Sequence, residues 1–203
     1  MRTKGMIAAW LLLLSFACTI ACGQGNPLNI DVFAEGGGSF LSNGALGAYC
    51  NVDSLFGCTY YSRGFSYGAR LFAGARFRFT SHDAIEASYA YSPNPFALPY
   101  APPDRLDVIS FNYVRYFGVR TRVQPFATVG IGANHFTGLA NLGYPSANGF
   151  YFVGNFGAGA DVVLQRHVAL RLELRDYVGP PPSFLSGTSH DIVPSVGIVI
   201  RLK

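Results

Sequence analysis

Lysine is almost missing from this chain: Lys4 and Lys203 are the only two in 203 residues, while arginine recurs throughout. Lysine is the usual solvent-facing cation of soluble proteins, so a large wetted surface is poorly provided for. Charged residues of every kind make up 13% of the chain, about half the ordinary share of ~25%. The apolar run at residues 7–16 is too short to cross a bilayer as a helix. Histidine is sparse and dispersed, at His82, His135, His167 and His190, so no metal-ligand spacing exists. The triplet Gly36-Gly37-Gly38 is followed by neither Lys-Ser/Thr nor a helical pattern, which excludes a phosphate loop. It marks a bend, or a place where a large side chain from across the fold needs room. No catalytic, cofactor-binding or metal-binding set emerges.

Residues 1–23 read as a cleavable secretory signal peptide: Arg2 and Lys4 open it, the apolar run follows, and Ala21-Cys22-Gly23 is a small-residue cleavage site. Lipid modification at Cys22 is the alternative, since Thr19-Ile20-Ala21-Cys22 loosely matches a lipobox. Removal of the leader leaves residues 24–203 as one domain of 180 residues and lowers the formal charge from +4 to +2. A chain so nearly neutral gives no support to a nucleic-acid partner. Two cysteines then remain, Cys50 and Cys58, separated by seven residues inside one long connection. In an exported protein this spacing predicts a local disulfide, worth about 2 to 3 kcal/mol of loop entropy. Peptide mapping is expected to find the two joined, and Cys50→Ser is expected to leave assembly of the fold intact.

The segment at residues 168–177 shows the pattern on which the fold turns. Val168, Leu170, Leu172 and Leu174 fall on one side of a two-residue period, and Ala169, Arg171, Glu173, Arg175 and Tyr177 on the other. A soluble sandwich would bury the aliphatic side and wet the charged one. A membrane barrel would turn the aliphatic side to lipid and the charged one to its lumen.

The same alternation recurs at residues 29–40, 65–79, 84–92, 105–117, 123–133, 150–164 and 191–202, which predicts eight strands. The connections between them alternate long and short, starting with a long one, and residues 93–104 hold five prolines. Such an order puts all long connections at one end and all short turns at the other. The polar faces carry Asp31, Glu35, Glu86, Asp161 and Glu173 against Arg70, Arg76, Arg78, Arg171, Arg175 and Arg201. Five acids facing six bases inside a narrow barrel predict a paired lumenal charge network, with glycines on the same faces leaving room. Arg115 falls on an apolar face, which predicts a place at the membrane boundary or beyond a bulge. Phe65, Tyr67, Tyr91, Phe117, Phe150, Tyr151 and Tyr177 lie near strand ends, where interfacial girdles belong.

From residue 29 to the end, the chain resembles the small outer-membrane β-barrels of the OmpA/OmpX and opacity-protein type, of the outer-membrane β-barrel or porin family. The alternating connections carry the resemblance, with Arg171-Leu172-Glu173-Leu174-Arg175 and the closing Ser195-Val196-Gly197-Ile198-Val199-Ile200-Arg201-Leu202. That ending looks like the insertion signal of such barrels, although Leu202-Lys203 stands where the family has an aromatic residue. The resemblance implies an all-β fold, an eight-stranded antiparallel up-and-down transmembrane barrel in the bacterial outer membrane. It implies as partners the lipid bilayer, lipopolysaccharide and the outer-membrane insertion machinery. The function implied is a non-enzymatic scaffold presenting four surface loops, whose residues name no ligand. A wall-binding domain after the last strand is not expected.

Three rivals share parts of the pattern. A narrow pore or hydrophobic-solute transporter is weakened by the near-balanced lumen, since open channels need more strands. An outer-membrane lipid-modifying enzyme would resemble a deacylase with a His-x-Ser-Asn arrangement, whereas His135-Phe136-Thr137-Gly138 lacks both partners. A secreted lipocalin-like barrel would carry a lysine-rich exterior.

Overall fold

The computed structural model describes residues 29–42, 65–93, 105–118, 121–137, 149–180 and 187–202. Eight strands run in chain order: β1 (Ile30–Ser42), β2 (Phe65–Arg78), β3 (Asp83–Pro93), β4 (Arg105–Tyr116), β5 (Val123–Thr137), β6 (Gly149–Gln165), β7 (Val168–Gly179) and β8 (Ser189–Leu202). Each pairs antiparallel with the next, and β8 returns to β1, so the sheet closes into a barrel without a free edge. Residues 1–23, read as a signal peptide, and Cys50 and Cys58 lie outside the described residues.

The strands are 11 to 17 residues long, more than the ~9–11 that cross a hydrocarbon layer at the usual tilt. Several extend past the predicted ends: β5 reaches Thr137, and β8 begins at Ser189. Strand pairing continues there because the two-residue alternation continues, as in the inward Asn134 and Phe136. Among the described pairings one register shift occurs, between Val163 and Gln165 beside the β6–β7 turn. Arg115 needs no bulge. It stands on the outer face near the end of β4, with Nη1 2.5 Å from Asp83 Oδ1.

The burial pattern is the reverse of a soluble domain. Arg70, Arg76, Arg171, Glu86 and Asp161 are buried, whereas Phe152 is 83% exposed and Ile131 72%. Outward-facing polar pairs stand toward the strand ends, as Arg105–Asp107, Asp83–Arg115 and Asp176–His190. Between them runs an unbroken apolar band that includes Leu71, Ile109, Phe111, Val129, Leu172, Val196 and Ile198. A wall of that size cannot be left to water, and it matches the lipid-facing belt of a membrane barrel.

The predicted aromatic girdles hold in part. Phe117 and Phe150 face outward and are exposed, but Tyr177 is buried in the lumen and Tyr151 packs against the apolar cluster there. Both fall on the inward parity of their strands, which decides direction before position along the strand does. The glycine triplet serves another purpose than making room for a side chain from across the barrel. A Cβ on Gly37 would run into the Pro194 carbonyl and lie 3.0 Å from Ser195 Cα, so glycine here permits close approach of β8. The β1–β8 ladder lapses at Gly38 and Ser39, opposite Pro194, which has no N–H to give.

Candidate functional site

Period two sets the direction of every lumenal side chain, and closure of the barrel brings strands far apart in sequence face to face. Among the described residues six acids and six arginines point inward, the predicted eleven plus Asp191. They separate into three levels.

The central level is a continuous ionic lattice. Glu86 on β3 is its hub: Arg76 donates to Oε2 from Nε at 3.0 Å, Arg175 to Oε1 from Nη2 at 2.9 Å, and Asn112 to Oε1 at 3.2 Å. Arg171 Nη1 lies 3.4 Å from both Glu86 Oε2 and Glu35 Oε1. Its other side forks onto Asp161, Nε to Oδ1 at 2.8 Å and Nη2 to Oδ2 at 3.3 Å, the two-bond geometry that only a guanidinium offers. Tyr116 accepts from Arg76 and Arg78 and donates to Asp161 Oδ2 at 2.9 Å. Ser195 closes the lattice on Glu35 at 2.6 Å, and Arg175 Nε reaches Glu173 at 2.7 Å.

Aromatic rings separate the cations. Arg171 lies 4.7 Å from the Phe33 ring centre, Arg76 5.1 Å from that of Phe126, and Arg78 4.2 Å from that of Tyr116. These contacts add cation–π attraction in a buried setting. The Phe126 ring fits because its opposite neighbour is glycine: a Cβ on Gly159 would stand 2.6 Å from Phe126 Cζ.

Toward the long connections Arg70 pairs with Asp191, which also accepts from Ser39 Oγ at 2.6 Å, and the guanidinium lies 5.6 Å from the Tyr177 ring centre. This pair is separate from the central lattice. Around this pair the lumen is largely apolar, with Leu41, Phe72, Leu106, Val108, Phe136, Val153 and Val193 gathered into one cluster. The charged network therefore occupies only part of the lumen.

Toward the short turns the lumen opens into a cavity of about 340 Å³, lined by Asn29, Asp31, Arg78, Thr80, Ser81, Gln124, Arg201 and Leu202. Asp31 is held by Arg78 Nε at 2.7 Å. Arg201, predicted as a network member, meets no carboxylate among the described residues and donates to Gln124 Oε1 at 2.9 Å. Its departure has a local cause, because its pairing neighbour on β1 is Asp31, and Arg78 has taken that carboxylate.

Sequence reading missed Asp191, Tyr116, Asn112 and Ser39. Parity carried the signal for all four: Asn112 and Tyr116 share the face of Ser110 and Val114, and Asp191 shares that of Val193 and Ser195. Ser39 falls on the Phe33–Glu35–Gly37 face in the same way.

Comparison with solved structures finds this architecture repeatedly. Neisserial surface protein A is similar over 85% of this chain and 96% of its own, at 14% identity and a TM-score of 0.61. The N-terminal β-barrel domain of Pseudomonas aeruginosa OprF matches with a TM-score of 0.52 at 12% identity, over 86% of this chain and all of that one. The outer membrane protein OprG of the same organism gives 0.50 at 12% identity, over 87% of this chain and 97% of its own. This chain has the fold of the small eight-stranded outer-membrane β-barrels. Among known protein families and curated proteins nothing matches it. The shared feature is thus the closed barrel with its apolar exterior, while the lumenal lattice is described from this chain's own residues.

Proposed function

We propose that the chain is an exported bacterial outer-membrane protein, with residues 1–23 as its signal peptide and residues 24–203 as a non-enzymatic barrel. The barrel is a scaffold: it seats in the bilayer, with lipopolysaccharide around its outer rim, and presents its four long connections to the exterior. The insertion machinery would take it through its closing strand, β8. Cys50 and Cys58 would clip the first of these connections.

The observation that carries the scaffold reading is the double closure of the lumen. A lattice with Arg76, Arg171, Glu86 and Asp161 at its centre is followed by an apolar plug of Phe72, Leu106, Phe136 and Val193, all of them buried. Ions would have to break several buried charge pairs and then cross a dry segment, and neither is compatible with steady conduction. Recording in planar bilayers is expected to show no unitary current steps from the wild-type protein. Reproducible steps of constant size would overturn the closed scaffold in favour of a pore. Incubation with lipopolysaccharide followed by mass spectrometry is expected to return lipid A unchanged, and release of an acyl chain would overturn the non-enzymatic reading.

A further inference from the structure

The cavity at the short-turn end has a chemistry that the closed scaffold does not use. Arg201 and Asp31 are direct pairing neighbours on β8 and β1, both on the inward face, and would ordinarily neutralise each other. Instead Asp31 is bound by Arg78 at 2.7 Å, and Arg201 reaches across the barrel to the neutral Gln124 of β5 at 2.9 Å. Arg201 Nε is buried and has no hydrogen-bond partner among the described residues. Among the described residues one carboxylate and two guanidinium groups line the cavity; Asp31 is paired with Arg78, and Arg201 is the lining cation that meets no carboxylate.

We propose that this mouth is a binding site for a small oxyanion, a carboxylate or a phosphate, anchored by Arg201. A guanidinium that meets no carboxylate among the described residues keeps its charge for such an anion and offers it N–H donors. The cavity of about 340 Å³ lies at the small end of ligand pockets, ~300–1,000 Å³, which suits a compact anion. Arg76, Tyr116 and Asp161, all fully buried, close the lumen behind it. The ligand therefore enters and leaves by one opening and is held there, not conducted. In the outer-membrane orientation proposed above, that opening faces the periplasm.

The full-length protein in detergent micelles is titrated with inorganic phosphate and, separately, with succinate at fixed ionic strength, while the arginine Nε–Hε NMR signals are followed. One arginine signal is expected to shift saturably, with a Kd of about 1 mM, and to be the signal missing from Arg201→Gln. Gln124→Glu keeps the arginine but places a carboxylate beside it, and is expected to weaken binding at least about tenfold by occupying the site from within. Saturation by both anions supports a general oxyanion site; saturation by phosphate alone or succinate alone supports the site and names the source. Non-saturating drift with both anions would overturn it, as would saturation in Gln124→Glu at wild-type affinity.

Discussion

Glu86→Leu is expected to destabilise the barrel by about 3 to 5 kcal/mol in reversible unfolding from lipid vesicles, the cost of breaking a buried charge pair from one side. Leucine fills the space but withdraws the acceptor shared by Arg76, Arg171, Arg175 and Asn112. Three guanidinium groups are then left with too few counter-charges in a dry lumen. Glu86→Gln is expected to cost less, because it retains one acceptor oxygen and the shape. Glu173→Gln should be milder still. Glu173 touches only Arg175 within the lattice, and Arg175 keeps Glu86. A ranking with Glu173 above Glu86 would contradict the hub assignment.

Leu172→Arg probes the other face of the wall. Leu172 points outward, half exposed, between Ala160 on β6 and Val196 on β8. A cation there must enter hydrocarbon or bend toward a headgroup, and the expected loss is about 2 to 4 kcal/mol near the midplane and less toward an interface. In a water-soluble barrel the same substitution on an exposed leucine would be neutral within ~0.5 kcal/mol. The sign and size of this one change therefore separate the two environments that the alternation of residues 168–177 leaves open.

The faces of all eight strands were legible in the sequence because direction depends only on parity, and the run of apolar residues on one parity sets it even in β5, which has no Asp, Glu, Lys or Arg. Arg171 and Glu173 point inward for the reason that Leu170 and Leu172 point out. The partners were not legible. Arg175 meets Glu86, 89 positions away, and Arg171 meets Glu35, 136 positions away. Those meetings depend on strand tilt and on how far each strand slides along its neighbour, quantities that alternation leaves free. For the same reason Arg201 could be placed inside but not denied a counter-charge, since Arg78 outcompetes it for Asp31 only once the barrel has closed. The apolar upper lumen was hidden differently. Phe72, Val108 and Val193 sit at inward parity beside polar residues such as Arg70, Ser110 and Ser195, and only closure gathers them into one plug.

The central claim is that the exterior of this barrel lies in lipid. The chain's single tryptophan is Trp10, within the proposed signal peptide, so in a Trp10→Phe background Ile131→Trp becomes a unique reporter on the outward face of β5. In vesicles its fluorescence is expected to be blue-shifted, strongly quenched by lipids brominated on their acyl chains and insensitive to aqueous iodide. Emission that iodide quenches and brominated lipid leaves untouched would put that wall in water and contradict the membrane barrel.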